Sequence, residues 1–185
     1  IPGVLHAKQQ QGKALSYNNL IDADAALNLL RNLNTDTPSC AIIKHATPCG
    51  VATHTDITQA YQLAYQCDSE SAFGGIIAIN QPCDDLLAEE ISKVFVEIVL
   101  APAFTKKSLD IFSKKKNLRV LEVGNIEKRD QLLEVRNIVG GVIVQETDVS
   151  ILSKSELKTV TDLEPSEEEI NTMLFGWKVL KHIKS

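Results

Sequence analysis

Two rhythms of apolar and polar positions alternate along this chain. Over 19–33, NLIDADAALNLLRNL, apolar residues recur at helical spacing. Asn18 or Asn19 is a natural N-cap there, and Asp22 and Asp24 suit a first turn. CAIIKH (40–45) follows Pro38 and Ser39 and is short, apolar and partly β-branched, which predicts a buried strand. ITQAYQLAYQC (57–67) predicts a helix with Ile57, Ala60, Tyr61, Ala64 and Tyr65 on one side. GGIIAIN (74–80), FVEIVLAP (95–102) and LRVLEV (118–123) predict three more strands, the middle one stopped by Pro102. Between them, DDLLAEEISKV (84–94) predicts a helix with acids at its start, and TKKSLDIFSKKK (105–116) one capped by Thr105. EVRNIVGGVIVQETD (134–148) predicts two strands around a Gly140-Gly141 turn. Ser166 and Glu169 form a capping box after Pro165, which opens a last helix over 166–184.

Strands of this length alternating with helices predict an α/β fold, with crossover units and a mostly parallel sheet covered on both faces. No internal repeat, low-complexity tract or linker divides the chain. At 185 residues it fits one domain, and 44% hydrophobic and 23% charged residues supply an ordinary soluble core. The net charge of −5 argues against a nucleic-acid binder, and SKKKNLR (113–119) reads as a solvated helix end. The apolar runs are too short to span a bilayer, and the four cysteines, none in a CxxC pair, suggest reduced thiols in the cytoplasm. The chain opens on Ile1 and closes on FGWKVLKHIKS without a glycine cap or breaker, which predicts a piece of a longer polypeptide.

The chemistry concentrates in IIKHATPCG (42–50), where Lys44, His45, Thr47, Pro48, Cys49 and Gly50 crowd the end of a strand. Ligands of open α/β sheets collect beyond the carboxyl ends of strands. Lys44 and His45 lie near such an end, as does Glu97 inside the 95–102 strand, while SESAFGG (69–75) enters a strand instead. The Pro48-Cys49 pair echoes the zinc deaminases, but Ala52 stands where the second cysteine belongs and the chain contains no H-x-E, so zinc is not expected. A Cys49 nucleophile served by His45, four residues away, remains an alternative to a small buried thiol. Acid/base work by Lys44 and His45 is the third reading: histidine can take a proton from an attacking amine, and lysine can carry charge to an oxyanion. A plain strand-end pair is the fourth. His6, His54 and His182 read as structural.

Taken in order, QGKALSYNNLIDADAAL (11–27), IIKHATPCGVA (42–52), SAFGGIIAIN (71–80), EIVLAPAF (97–104) and FGWKVLKHIKS (175–185) resemble the bacterial AICAR transformylases, and the resemblance covers essentially the whole chain. That family forms the transferase part of a bifunctional purine biosynthesis protein that also carries an IMP cyclohydrolase domain. The resemblance implies a cytidine-deaminase-like layered α/β/α unit. Residues 1–185 would be the first of two such units, without the second unit or the cyclohydrolase. It implies formyl transfer from 10-formyltetrahydrofolate, the cosubstrate, to the amine of the AICAR nucleotide in IMP biosynthesis, within a cytoplasmic homodimer. No partner nucleic acid or membrane is implied, and any potassium site belongs to the parent enzyme alone. By motif, Lys44 and His45 become the catalytic pair, with His45 deprotonating the amine and Lys44 stabilising the formyl oxygen or helping the folate nitrogen leave. Asn19, Phe73, Gly74 and Glu97 become substrate-binding residues. Thr47 stands where the family's bacterial motif has asparagine, which puts a contact from that position in doubt. A piece of this extent is expected to have little or no transferase activity alone, and a nucleotide-binding module without catalysis is the alternative.

Overall fold

The computed structural model describes residues 3–33, 36–127 and 133–183. Its centre is a six-stranded sheet formed by β1 (Lys8–Gln11), β2 (Ser39–Lys44), β3 (Thr47–Thr53), β4 (Ile76–Ile79), β5 (Ile98–Ala101) and β6 (Arg119–Glu122). Their spatial order is β1-β6-β5-β4-β2-β3. β4, β5 and β6 are parallel, whereas β2 is antiparallel to both β3 and β4, and β1 is antiparallel to β6. Four of the six strands, β3 to β6, therefore point the same way.

Successive residues of these strands feed opposite faces, as the pleat requires. Cys40, Ile42, Ile77, Ile79, Val99, Ala101 and Val120 join one buried cluster, which is covered by α2 (Ile57–Cys67), α3 (Asp85–Ser92) and α4 (Lys106–Phe112). Ala41, Ile43, Ile76, Ala78, Ile98, Leu100 and Leu121 join the other, under Ala23, Ala26, Leu27, Leu29 and Leu30 of α1 (Tyr17–Asn32). Burial on both faces explains why the central strands read as continuous apolar runs. Each fully buried Ile or Leu contributes about 1.5–3 kcal/mol over its exposed state, and these two clusters hold the α/β/α layers together.

The helices start where their caps dictate. Asp56, Asp84 and Thr105 each accept a hydrogen bond from the backbone N–H three residues on, at 2.8, 2.9 and 3.1 Å. The cap of α1 is Ser16 rather than Asn18 or Asn19. Ser16 Oγ accepts from Asn19 N and Asn19 Oδ1 accepts from Ser16 N, both at 3.2 Å, so Asn19 is the reciprocal partner in a capping box. The expected box of Ser166 and Glu169 opens α5 (Glu167–Leu180), which ends short of 184. Residues 184 and 185 lie outside those described. α4 stops at Phe112, leaving Lys114, Lys115 and Lys116 exposed in the turns that follow.

Two strands have no counterpart in the hydrophobic pattern. β1, KQQQ, is wholly polar, and Gln11 Nε2 reaches the carbonyls of Phe112, Lys115 and Leu118 at 2.9, 2.9 and 3.2 Å, joining this edge to the end of α4. β3 returns from β2 as a hairpin, so the connection after Lys44 is a tight turn and not a crossover. Gly50 on β3 lies so close to α2 that an added Cβ would stand 1.9 Å from the Ala64 carbonyl oxygen.

Beyond the sheet, β7 (Leu133–Ile138) and β8 (Gly141–Glu146) form the expected second hairpin, turning through Val139-Gly140 with Gly140 at φ 88. Every residue of these two strands is exposed, and the register puts Leu133, Val135, Val142 and Val144 on one face. α5 lies across the α1 side, where Phe175 and Val179 touch the core and Asn32 Nδ2 lies 2.8 Å from His182 Nε2. Burial, and after it the neighbouring Lys181 charge, lowers the His182 pKa. No helix among the described residues is long and apolar enough to cross a membrane.

Candidate active site

The turn between β2 and β3 is built from His45 and Ala46, at φ 55 and φ 59. A two-residue hairpin that follows the strand twist needs positive φ at both central residues. Asparagine and glycine normally fill those positions; here an imidazole and a methyl do. Each left-handed non-glycine residue costs about 1–2 kcal/mol. Part of that cost is offset by the Ala46 N–H, which donates to Asp22 Oδ1 at 2.7 Å. A hydrogen bond to a charged group contributes about 1.5–3 kcal/mol. Pairing of Lys44 with Thr47 closes the turn. His45 is exposed at its tip and Lys44 is half-buried at its base.

Lys44 Nζ donates to the Phe73 carbonyl at 2.5 Å. Phe73 belongs to the turns that lead into β4, where Gly74 takes φ 71 and donates its N–H to the Phe95 carbonyl at 2.8 Å. The rings of Phe73 and Phe95 lie 5.2 Å apart at 44°, both about half exposed, and form an aromatic platform beside the lysine. Gly75 carries the chain inward, and a Cβ there would approach the carbonyl oxygens of Ile43 and Ala72 to 3.0 and 3.1 Å. Its own carbonyl accepts from Glu97 N at 3.0 Å. Glu97 Oε2 in turn accepts from Asn19 Nδ2 at 3.1 Å.

All six residues singled out from the sequence therefore fall in one connected region. Lys44 reaches Phe73, Gly74 and Gly75 continue that loop to Phe95 and Glu97, and Glu97 reaches Asn19, while His45 caps the adjoining turn. Its location corrects one expectation. Glu97 precedes β5 instead of lying within it, and Phe73 and Gly74 precede β4, so the region sits at the amino ends of these parallel strands. Lys44 joins them because β2 runs antiparallel to β4, which brings its carboxyl end to the same side.

Two residues in this region were given no site role by the sequence, and Asp22, expected in the first turn of its helix, lies beyond it because α1 already starts at Tyr17. Phe95 supplies the second ring of the platform. Asp22 holds the turn, and its spacing of three from Asn19 puts both on one face of α1.

The register also accounts for Cys49. Ile42 pairs with Gly50 and Ile43 with Pro48, leaving Cys49 as the extra residue of a bulge. Its Sγ lies 3.4 Å from the Ile42 carbonyl, and burial pushes the thiol pKa up, which works against a thiolate nucleophile. Among the described residues no three His, Cys, Asp or Glu side chains converge as a metal site.

The model of the AICARFT/IMPCHase bienzyme matches residues 2–185. The chain belongs to the AICARFT/IMPCHase bienzyme family. Among its relatives in this family is the bifunctional purine biosynthesis protein PurH of Roseobacter denitrificans, 49% identical over 186 residues and covering 100% of this chain. PurH of Caldicellulosiruptor bescii is 43% identical over 182 residues and covers 98% of the chain. The chain spans 35% of the length of each. Among solved structures, Acinetobacter baumannii RibD aligns over 53% of this chain and 33% of its own, at a TM-score of 0.41 and 17% identity. The bienzyme family is the one its motifs resemble.

Proposed function

We propose that this chain carries the first unit of an AICAR transformylase and, with it, the proton-handling part of a formyl-transfer site used in purine biosynthesis. The observation that carries the reading is the Lys44-His45 turn held against the Phe73 carbonyl, next to the Asn19-Glu97 pair, in a member of the bienzyme family. The exocyclic amine of AICAR attacks the formyl carbon of 10-formyltetrahydrofolate and His45 takes the amine proton. Lys44 stabilises the oxyanion of the tetrahedral species. The bond from the formyl carbon to the folate nitrogen then breaks, and that nitrogen takes up a proton. Glu97 and Asn19 hold the nucleotide's polar edge, while Phe73 and Gly74 line its pocket.

Histidine suits the first role because its ordinary pKa lies near neutrality, and a positioned general base contributes about 10²–10⁴-fold. A lysine aimed at developing negative charge acts in the transition state more than in the ground state. The parent enzyme works as a cytoplasmic homodimer, and the segments that complete the folate site lie outside this chain.

Two measurements on the 185-residue chain test the reading. Calorimetry with AICAR alone is expected to show binding, and a turnover assay with both substrates is expected to show little or none. A normal rate overturns the partial-site reading. Absence of binding removes the nucleotide pocket from this unit.

Cys49→Ser addresses the thiol alternative. In the full-length enzyme this substitution is expected to leave turnover within about threefold and cost no more than about 1 kcal/mol of stability. Loss of turnover in a folded variant would restore Cys49 as a nucleophile.

A further inference from the structure

We infer that Asp22 is a positioning residue of this site, acting on His45 through the backbone of the turn. The inference rests on the reading of His45 as the base. Asp22 is half-buried on α1, and its Oδ1 accepts from the Ala46 N–H at 2.7 Å. Ala46 is the second of two consecutive residues in the left-handed region, at φ 59 after His45 at φ 55. Neither residue favours that conformation by itself. The Ala46 N–H is the peptide group that joins these two residues, so a carboxylate fixed on it sets the plane from which the imidazole projects. The His45 side chain is exposed, so packing does little to orient it, and that leaves the backbone to do so.

α1 makes this hold rigid. Ala23, Ala26 and Leu27, just beyond Asp22, are buried in the core. Asn19, one turn before Asp22, bonds Glu97 at 3.1 Å. One helix end thus fixes the proposed base and the proposed substrate-holding carboxylate relative to each other. A misplacement of the base by about 1 Å costs on the order of 10²-fold in rate, so loss of the Asp22 contact reads out in turnover before it reads out in nucleotide affinity.

The test uses Asp22→Ala, Asp22→Asn, His45→Ala and the double variant Asp22→Ala/Ala46→Gly in the full-length enzyme. Asp22→Ala is expected to lower kcat about tenfold or more with KM for the nucleotide changed less than about threefold. Asp22→Asn keeps an acceptor oxygen and is expected to retain most of the rate. Ala46→Gly makes the left-handed conformation accessible without the carboxylate, so it is expected to restore part of what Asp22→Ala loses. Hydrogen exchange at the Ala46 amide is expected to be slow in the native chain, to become fast in Asp22→Ala and to stay slow in Asp22→Asn. A full rate in Asp22→Ala beside a collapsed rate in His45→Ala overturns the positioning role and leaves the function standing. A full rate in His45→Ala overturns the function itself. A deep loss in Asp22→Ala that glycine does not relieve overturns positioning in favour of direct chemistry by the carboxylate. Should Asp22→Ala not fold, Asp22→Asn decides: a native rate with a protected Ala46 amide supports the role, and a native rate with an unprotected amide overturns it.

Discussion

His45→Ala in the full-length enzyme is expected to lower turnover by about 10²-fold or more, with nucleotide affinity within about threefold of the native value. The asymmetry follows from where the side chain sits. His45 is exposed at the tip of a turn and supports no part of the core, so its removal leaves the buried clusters intact. On the proposed function, what is lost is a proton acceptor needed only as the amine attacks. Lys44→Ala is expected to fall in the same range, about 10²–10³-fold, because a charge donor to an oxyanion is lost. Lys44 also donates to the Phe73 carbonyl at 2.5 Å, so its removal is expected to loosen the aromatic platform and to weaken nucleotide binding more than His45→Ala does. Steady-state kinetics together with calorimetry on both variants separates the two effects. An unchanged rate in His45→Ala would defeat the acid/base assignment.

Gly50→Ala produces the largest loss of stability expected from a single methyl. The added Cβ would lie 1.9 Å from the Ala64 carbonyl oxygen and 2.9 Å from its carbon, both backbone atoms of α2. A flexible side chain could swing aside, but a helix backbone cannot move without disturbing Ala60, Tyr61 and Ala64 in the core beneath it. Overpacking a core costs about 1–3 kcal/mol, occasionally more, and contact with rigid backbone puts this site at or above the upper figure. Against a total stability of about 5–15 kcal/mol for an ordinary domain, a marked drop in the unfolding midpoint is expected in urea titration. A midpoint within experimental error of the native chain would show that β3 and α2 separate easily.

The central layers were legible because burial on both faces leaves an unmistakable apolar signature. The strands at 40–45, 74–80, 95–102 and 118–123 appear within a few residues of where β2, β4, β5 and β6 lie. The two edge strands were not, for different reasons. KQQQ has no apolar residue at all; it is held by backbone pairing to β6 and by the amide of Gln11. TPCGVAT contains a proline and a glycine, both poor strand formers, and the turn ahead of it lacks every usual hairpin residue. The His45-Ala46 turn takes a hydrogen bond from its backbone to Asp22, distant in sequence, and no local rule can report that. The candidate residues could be named from their motifs, but where they gather could not be read from the sequence. The strand-end rule pointed to carboxyl ends, whereas the antiparallel course of β2 moves the region to the amino ends of β4 and β5.

The bulge at Cys49 has a consequence for how this protein behaves in a crowded solution. β3 is the outermost strand of the sheet, and an open edge invites a strand from another molecule. Pro48 offers no N–H to such a strand, and the extra residue at Cys49 breaks the regular spacing of the donors that remain. The segment that returns the chain from the His45 turn thus also guards the sheet against aggregation. Smoothing it into an ideal strand would trade solubility for regularity.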